Sequence, residues 1–328
     1  MNLEINWLRN LRIIASIAVI TVHVCAQGLL LFPPDTLSGW NTLLIINCLA
    51  HFAIPVFIMI SGALILSKNP SNFWRRTKKI IYLIIFWSLV YILFNHFVYQ
   101  TPISLRYIAS SLLRGSAFYH LYYLYIAGGL YLATPLLQKI ITNKKNTLIL
   151  LSVTLLSPII IISTMFFIAK KIIDPISSLL FVEYLGYYVL GYYLSTFTNK
   201  FFSKWVYSLL FIILGTAISY STIKITHDLS YAFHYLSLGN FMTSVGVFTL
   251  IKNVFNRRAF FSLLSSRATL GIYLLHLIIL IGLVKLTPLN GSFLHPLIGI
   301  PLTVLVVYVI TWLLVVLLDK TPLKIVVN

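Results

Sequence analysis

The chain alternates between long apolar stretches and short segments that carry Lys, Arg, Pro or Asn. Each apolar stretch has about 20 residues, enough to cross a hydrocarbon core about 30 Å thick at 1.5 Å per residue. The stretches between charged breaks predict ten helical spans, at 11–31, 41–66, 80–99, 119–138, 147–169, 178–195, 205–222, 231–251, 268–286 and 296–318. The pattern therefore predicts an all-α integral membrane protein with about ten transmembrane helices.

Prolines and loop lengths refine this prediction. Pro55, Pro135, Pro158 and Pro301 fall within predicted spans, where membrane helices accept them as kinks. No connecting segment exceeds about 25 residues, and no Pro/Gly/Ser-rich linker or fixed-period repeat interrupts the pattern. The first apolar run lacks a convincing signal-peptide cleavage site and is too long for one. We expect residues 1–328 to form a single transmembrane domain that retains its first span.

Composition supports a membrane environment. Of the 328 residues, 59% are hydrophobic and 9% are charged, and the mean hydropathy is +0.96. Soluble domains carry roughly 25% charged residues, so this chain cannot build a soluble surface. Both cysteines, Cys25 and Cys48, fall inside apolar spans, where a thiol usually acts as a small packing group. We expect neither a disulfide nor a metal site there.

The distribution of basic residues predicts orientation. The chain has 24 Lys and Arg residues against 6 acidic residues, for a net charge of +18. With ten spans, one side holds only six of the basic residues, which are Arg106, Arg114, Lys170, Lys171, Lys224 and Lys285. The positive-inside rule then places both termini and the other 18 basic residues in the cytoplasm. Topology and anionic lipid explain the charge better than a nucleic-acid partner, which we do not expect.

Arg12 and His23 are the first pair of residues that suggests chemistry. They are eleven residues apart on one predicted helix, which places them about 16 Å apart along the axis and on nearly the same face. An arginine suits phosphate, and a histidine acts as a base or nucleophile at neutral pH. Coenzyme A, with phosphates at one end and a reactive thioester at the other, has a matching shape. Alternatively, Arg12 is a topology anchor and His23 a hydrogen-bonding partner of a neighbouring helix.

Other polar residues near or within spans are weaker candidates. A basic cluster that includes Arg75 and Arg76 enters the third span, where it holds phosphates or simply anchors the helix. The remaining candidates are His51, His120, Glu183 and His276, because ionisable groups in hydrocarbon are costly and mark function. For each histidine, a structural hydrogen bond competes with a catalytic role.

Five motifs in order resemble the membrane acyltransferase-3 family and cover nearly the whole chain. They are Arg12-x10-His23, the stretch from Pro55 to Gly62, Arg75-Arg76-x-x-Lys79, the stretch from His120 through Tyr123 to Thr134-Pro135-Leu136, and Ser265-Ser266-Arg267 leading to Gly271-Ile272-Tyr273 and His276. The fourth- and ninth-span motifs are most similar to those of family members that O-acetylate enterobacterial common antigen. Three positions depart from the family pattern: His51 and Lys79 replace arginines, and Tyr122 replaces a tryptophan.

The resemblance implies O-acyl transfer in a bacterial cytoplasmic membrane. The donor co-substrate would be cytoplasmic acyl-CoA, expected to be acetyl-CoA, with no covalently bound cofactor. The acceptor would be a hydroxyl of a glycan or an undecaprenyl-linked sugar at the outer face. In this scheme His23 is the base or acyl carrier, and the CoA phosphates bind Arg12, Arg75, Arg76 and Arg9.

Three further residues and two alternative functions also follow from the sequence. His120, Glu183 and His276 would position the acceptor or relay protons. The main alternative is a transporter or flippase for lipid-linked saccharides, with the histidines as proton sites. A structural partner of a polysaccharide synthase is a second alternative. The oligomeric state is left open, including a homo-oligomer.

Overall fold

The computed structural model describes residues 6–31, 39–67, 73–169, 181–197, 201–255 and 268–327. Within these ranges the secondary structure is helical, as the apolar pattern predicts. Three parts of the predictions lie outside the described residues: the Ser265-Ser266-Arg267 segment of the last motif, the first three residues of the sixth predicted span, and two of the six basic residues used for orientation, Lys170 and Lys171.

The described chain forms fifteen α-helices, with one π-turn and one 3-10 turn between them. The helices are α1 (Asn6–Leu31), α2 (Trp40–Ala50), α3 (Ala53–Ile65), α4 (Phe73–Tyr99), α5 (Leu105–Arg114), α6 (Tyr122–Ile140), α7 (Lys144–Leu151), α8 (Ser157–Ala169), α9 (Leu185–Thr196), α10 (Trp205–Thr226), α11 (Leu229–Ala232), α12 (Leu238–Val254), α13 (Thr269–Leu286), α14 (Pro296–Asp319) and α15 (Lys324–Val327). The π-turn, Ser152–Leu156, joins α7 to α8, and the 3-10 turn, Val182–Tyr184, precedes α9.

Seven helical segments of the described chain are long and apolar enough to cross a membrane. They coincide with seven of the ten predicted spans, where α2 with α3 and α7 with α8 each count as one segment. The other three predicted spans correspond to α6, α9 and α12, of 19, 12 and 17 residues. Two of these are shorter than a typical span, and α6 carries four tyrosines. The count of ten and the orientation of the termini stay predictions.

The second predicted span is broken between α2 and α3, and Pro55 explains where. A proline has no N–H, so Pro55 cannot donate to the carbonyl four residues back, which belongs to His51. His51 and Phe52 form the turn, and the ladder resumes with the Val56 amide donating to the Phe52 carbonyl at 3.0 Å. The predicted kink therefore places His51 at a helix break inside the protein.

Helix α1 lies at the centre of the bundle. It packs against α2, α3, α12, α13 and α14, and its residues Leu11, Ile13, Ala15 and Ile20 are fully buried. A long helix with neighbours on most sides brings its polar residues into the protein rather than into lipid. This position is why Arg12 and His23 reach interior space.

Two helix crossings are unusually close because of small residues. A methyl group at Gly62 of α3 would lie 1.8 Å from the Tyr188 carbonyl oxygen, and one at Gly191 of α9 would lie 1.9 Å from the Met59 carbonyl oxygen. Helices α10 and α12 cross in the same way, through Gly215 and Gly239. Small residues at such interfaces let backbones approach, which is how membrane helices gain packing energy.

The outer surface of the bundle is apolar, and much of its polar content is inside. Large side chains such as Phe97, Ile168 and Leu305 are more than half exposed on α4, α8 and α14. In contrast, His120, His276 and many serines and threonines are buried. This arrangement suits a protein surrounded by lipid.

Candidate active site

A cavity of about 140 Å³ lies beside α1. Its walls combine aliphatic residues with three histidines and four tyrosines, and the lining residues are Val19, Val22, His23, His51, Ala53, Ile54, Tyr119, His120, Tyr122, Tyr235 and Tyr273. Concave, mostly apolar pockets with a few converging polar groups are the usual form of a ligand site. Three sequence-predicted candidates, His23, His51 and His120, thus meet in one space.

His23 and His120, which line the cavity, form a cluster with His276, which lies behind them and is not part of the lining. The ring centroid of His276 lies 5.2 Å from that of His23 and 5.6 Å from that of His120. The three residues come from α1, from the turn before α6 and from α13. Residues separated by 97 and 156 positions therefore share one site, which α1 organises through its central position.

The hydrogen bonds of His276 fix its tautomer. Its Nδ1 lies 2.6 Å from the Tyr273 carbonyl oxygen and 3.2 Å from that of Ile272, both on its own helix. Because a carbonyl only accepts, Nδ1 carries the proton and Nε2 bears the lone pair. Nε2 is buried, and the described residues provide it with no hydrogen-bond partner. His276 is thus a buried acceptor beside His23.

His120 has two buried ring nitrogens without partners among the described residues. The Leu274 carbonyl is nearby, but it accepts a 2.7 Å bond from the Tyr91 hydroxyl, and neither nitrogen of His120 meets hydrogen-bond geometry toward it. The backbone of His120 is fixed by the Tyr273 hydroxyl, which donates to the His120 carbonyl. Buried polar atoms rarely stay unpaired, so this imidazole is available to a small polar ligand.

His51 is held differently from the other three. Its Nδ1 lies 3.2 Å from the Asn47 side-chain oxygen, and its ring stacks on Phe233 at 4.5 Å between centroids. The Phe233 backbone is also within hydrogen-bonding range of the ring. Of the two roles considered for His51, these contacts favour a structural one, as a wall of the cavity.

Tyrosines complete the walls and the rim. The Tyr122 hydroxyl donates to the Tyr235 hydroxyl at 3.0 Å, and the Tyr187 hydroxyl donates to the Tyr235 carbonyl at 2.6 Å. Tyr119 is 58% exposed, and its ring lies 5.4 Å from that of His23. The cavity therefore reaches the surface at Tyr119, on the side of the bundle where α4 ends and α6 begins.

A line of tyrosines leads from the cavity toward the N-terminal end of α1. Tyr273 is 5.1 Å from Tyr123 between ring centroids, and Tyr123 is within electrostatic range of Arg12. Tyr131, two turns further along α6, is within range of both Arg12 and Arg76. Arg12 and Arg76 thus lie near one end of this row of tyrosines, and the cavity that His23 lines is at the other end.

Other predicted residues lie elsewhere. Arg75 is exposed and Arg9 is half-buried, and neither residue lines the cavity. Glu183 lies in the 3-10 turn that precedes α9, which begins at Leu185. Its half-buried side chain is not part of the cavity lining.

A family model described as an acyltransferase domain, acyltransferase-3, matches residues 5–316 of the chain. The chain belongs to the acyltransferase-3 family. Comparisons with curated proteins and with solved structures gave no match. The family resemblance predicted from the five motifs is confirmed, and the chain is a multi-pass membrane acyltransferase. The transporter alternative is not favoured.

The structure gives physical roles to several residues of the acyltransferase-3 motifs. Gly62 ends the second motif because α3 crosses α9 there, and Tyr273 ties α13 to the turn that carries His120. Sequence reasoning did not select Tyr119 or Tyr235 as site residues. Tyr235 could not be found from local sequence, because it reaches the cavity only through packing between distant segments. Tyr273, by contrast, stands three positions before His276, a spacing that places two residues on the same helix face.

Proposed function

We propose that this acyltransferase moves an acyl group, expected to be acetyl, from cytoplasmic acyl-CoA to a hydroxyl of a glycan or an undecaprenyl-linked sugar. The observation that carries the proposal is the row of tyrosines, Tyr131, Tyr123 and Tyr273, which forms a path between the two arginines and the cavity that His23 lines. Its length along α1, about 16 Å, suits a donor that has phosphates at one end and a thioester at the other.

Arg12 and Arg76 bind the phosphates of the CoA nucleotide in this scheme. Guanidinium groups pair with phosphate oxygens through two parallel hydrogen bonds, which position a ligand as well as attract it. Arg9 and the exposed Arg75 add only a weak attraction for these phosphates, because solvent and salt screen exposed charges. The pantetheine arm then follows Tyr131 and Tyr123 toward the cavity.

His23 performs the chemistry at the other end of the path. Acting as a base, it takes the proton of the acceptor hydroxyl while the hydroxyl oxygen bonds to the thioester carbon. The carbon–sulfur bond breaks, and His23 returns the proton to the departing CoA thiolate. Acting as a carrier, it would hold the acyl group briefly before the same hydroxyl attacks.

The acceptor enters from the side where Tyr119 is exposed, which is the outer side if both termini are cytoplasmic. Exposed tyrosines offer an apolar ring face and a polar hydroxyl, a combination that suits sugars. The resemblance to enzymes that act on enterobacterial common antigen suggests a related acceptor. A bacterial cytoplasmic membrane is the expected location.

The test is acetyl transfer by purified protein in lipid nanodiscs, measured as CoA release from acetyl-CoA in the presence of a membrane-glycan extract. The variant His23→Ala should reduce the rate to background, because the other imidazoles of the cavity, His51 and His120, lie outside α1 and do not take the place of the His23 ring. The matched control is His96→Ala, since His96 lies on α4 outside the cavity and bonds the Thr101 carbonyl at 2.9 Å. Its rate should equal that of the wild type.

Mass spectrometry of the glycan product would identify the acyl chain. Retained transfer by the folded His23→Ala variant would contradict the proposed role of His23. Failure of acetyl-CoA to raise the thermal stability of the wild type, even at millimolar concentration, would contradict acyl-CoA as donor.

A further inference from the structure

We propose that His276 is the residue that positions His23, by accepting a hydrogen bond from the His23 ring at Nε2. This inference rests on the proposed function and assigns a role to the buried imidazole on α13. Three observations support it: the tautomer of His276, its distance from His23, and the absence of any hydrogen-bond partner for Nε2 among the described residues.

The tautomer determines what His276 can do. Its Nδ1–H is committed to the carbonyls of Tyr273 and Ile272 on its own helix. That bond is local and holds the ring in one orientation without help from another helix. The opposite nitrogen, Nε2, is therefore an obligate acceptor that points away from the α13 backbone. A neighbour that carries an N–H is the natural partner.

The geometry favours His23 as that neighbour. An N–H···N bond of about 2.9 Å between two imidazoles places their centroids roughly 5 Å apart. His23 and His276 are 5.2 Å apart, with planes inclined by 34°. His120 is slightly further, at 5.6 Å, and nearly perpendicular at 84°. The half-buried His23 ring faces the cavity, where a rotation of its side chain completes the bond.

The bond explains how a histidine surrounded by apolar residues can act as a base. With one nitrogen donating to His276, the other nitrogen of His23 presents its lone pair to the acceptor hydroxyl. When His23 takes the hydroxyl proton, the new imidazolium still donates to Nε2 of His276, which stabilises its charge. The proton then passes to the CoA thiolate as the carbon–sulfur bond breaks, so the His23–His276 pair ends as it began.

Two substitutions separate this role from a structural one. His276→Gln keeps an acceptor oxygen near the position of Nε2, whereas His276→Asn keeps only a group near Nδ1 that can bond the helix carbonyl. We expect the Asn variant to lose about 100-fold in kcat and the Gln variant less than about 10-fold, with KM for acetyl-CoA unchanged in both. A structural role predicts the reverse order.

A second variant that lacks the acceptor controls for loss of activity through misfolding. In His276→Thr the hydroxyl can bond its own helix, as Thr311 does to the Val307 carbonyl at 2.6 Å. It should lose activity to the same extent as the Asn variant while it unfolds at the wild-type temperature. Equal kcat for the Gln variant and the two acceptor-lacking variants would overturn the inference.

A chemical readout tests the pair independently of acyl transfer. Diethyl pyrocarbonate acylates the lone pair of a neutral imidazole, and mass spectrometry measures its rate at His23. The rate should fall about 10-fold in His276→Asn and stay near wild type in His276→Gln. Unchanged His23 reactivity in the Asn variant would overturn the inference. A wild type that lacks acetyl transfer but shows the expected reactivity pattern would refute only the proposed function.

Discussion

The crossings of α3 with α9 and of α10 with α12 contrast with the cavity beside α1. At the crossings, small residues bring backbones into contact, and a methyl group at Gly62 would meet a carbonyl oxygen at 1.8 Å. At the cavity, buried imidazole nitrogens stay without partners among the described residues. The close packing at the crossings stabilises the folded protein, whereas the unpaired polar groups at the cavity destabilise it. Stability and chemistry are therefore separated in space.

The largest effect that tests this contrast is expected at Gly62. Gly62→Ala pushes a methyl group into the Tyr188 carbonyl, and because a backbone atom must move, we expect a loss of about 3 kcal/mol or more in the free energy of unfolding. Fluorescence-detected size exclusion and thermal unfolding in detergent would measure it.

Gly282 provides the matched control for this substitution. It also lies within a helix, α13, but a methyl group there would meet nothing within 4 Å. Gly282→Ala should leave the unfolding temperature and the yield of folded protein unchanged. Equal behaviour of the two variants would mean that the α3–α9 crossing is not a stabilising element.

The second test compares Arg76 with Arg75, which are adjacent in sequence but differ in environment. Arg76 is half-buried and within range of Tyr131, whereas Arg75 is exposed. We expect Arg76→Gln to raise KM for acetyl-CoA about 10-fold, because a charge-assisted phosphate bond contributes about 1.5 kcal/mol or more. Arg75→Gln should change KM by no more than about 2-fold in the same steady-state assay. Equal effects would place the donor phosphates at the surface.

The sequence predicts the features of the fold that depend on residues close together in the chain, and it does not predict those that depend on contacts between distant segments. Helices, their apolar faces and the relation of Arg12 to His23 follow from periodicities of a few residues, and Pro55 marks the break that places His51. The grouping of His23 with His120 and His276 depends on contacts between distant segments, which one sequence does not encode visibly. Glu183 shows the limit, because an apolar run did not reveal where α9 begins.

The third test, at the cavity wall, concerns Tyr122. Tyr122→Phe removes the hydroxyl that donates to Tyr235 at 3.0 Å, and it leaves the ring in place. We expect a loss of about 1 kcal/mol in the free energy of unfolding, the usual net value of one internal hydrogen bond. Thermal unfolding would measure it, with Tyr220→Phe as control, since the exposed 3.4 Å bond of Tyr220 to Asn41 should contribute little.

The smallest effect is expected at Ser104, which belongs to neither region. Its side chain caps α5 by accepting from the Tyr107 amide at 3.1 Å, and the bond is exposed. Ser104→Ala should cost about 0.5 to 1 kcal/mol of local helix stability. Hydrogen exchange at the first amides of α5 would detect it, while acetyl transfer and the unfolding temperature should stay constant. Helix α5 is followed in the chain by Gly115, Tyr119 and His120. A change in the transfer rate would therefore show that fraying of α5 alters the positions of the cavity residues that follow it. In that case stability and chemistry would be coupled on this side of the bundle.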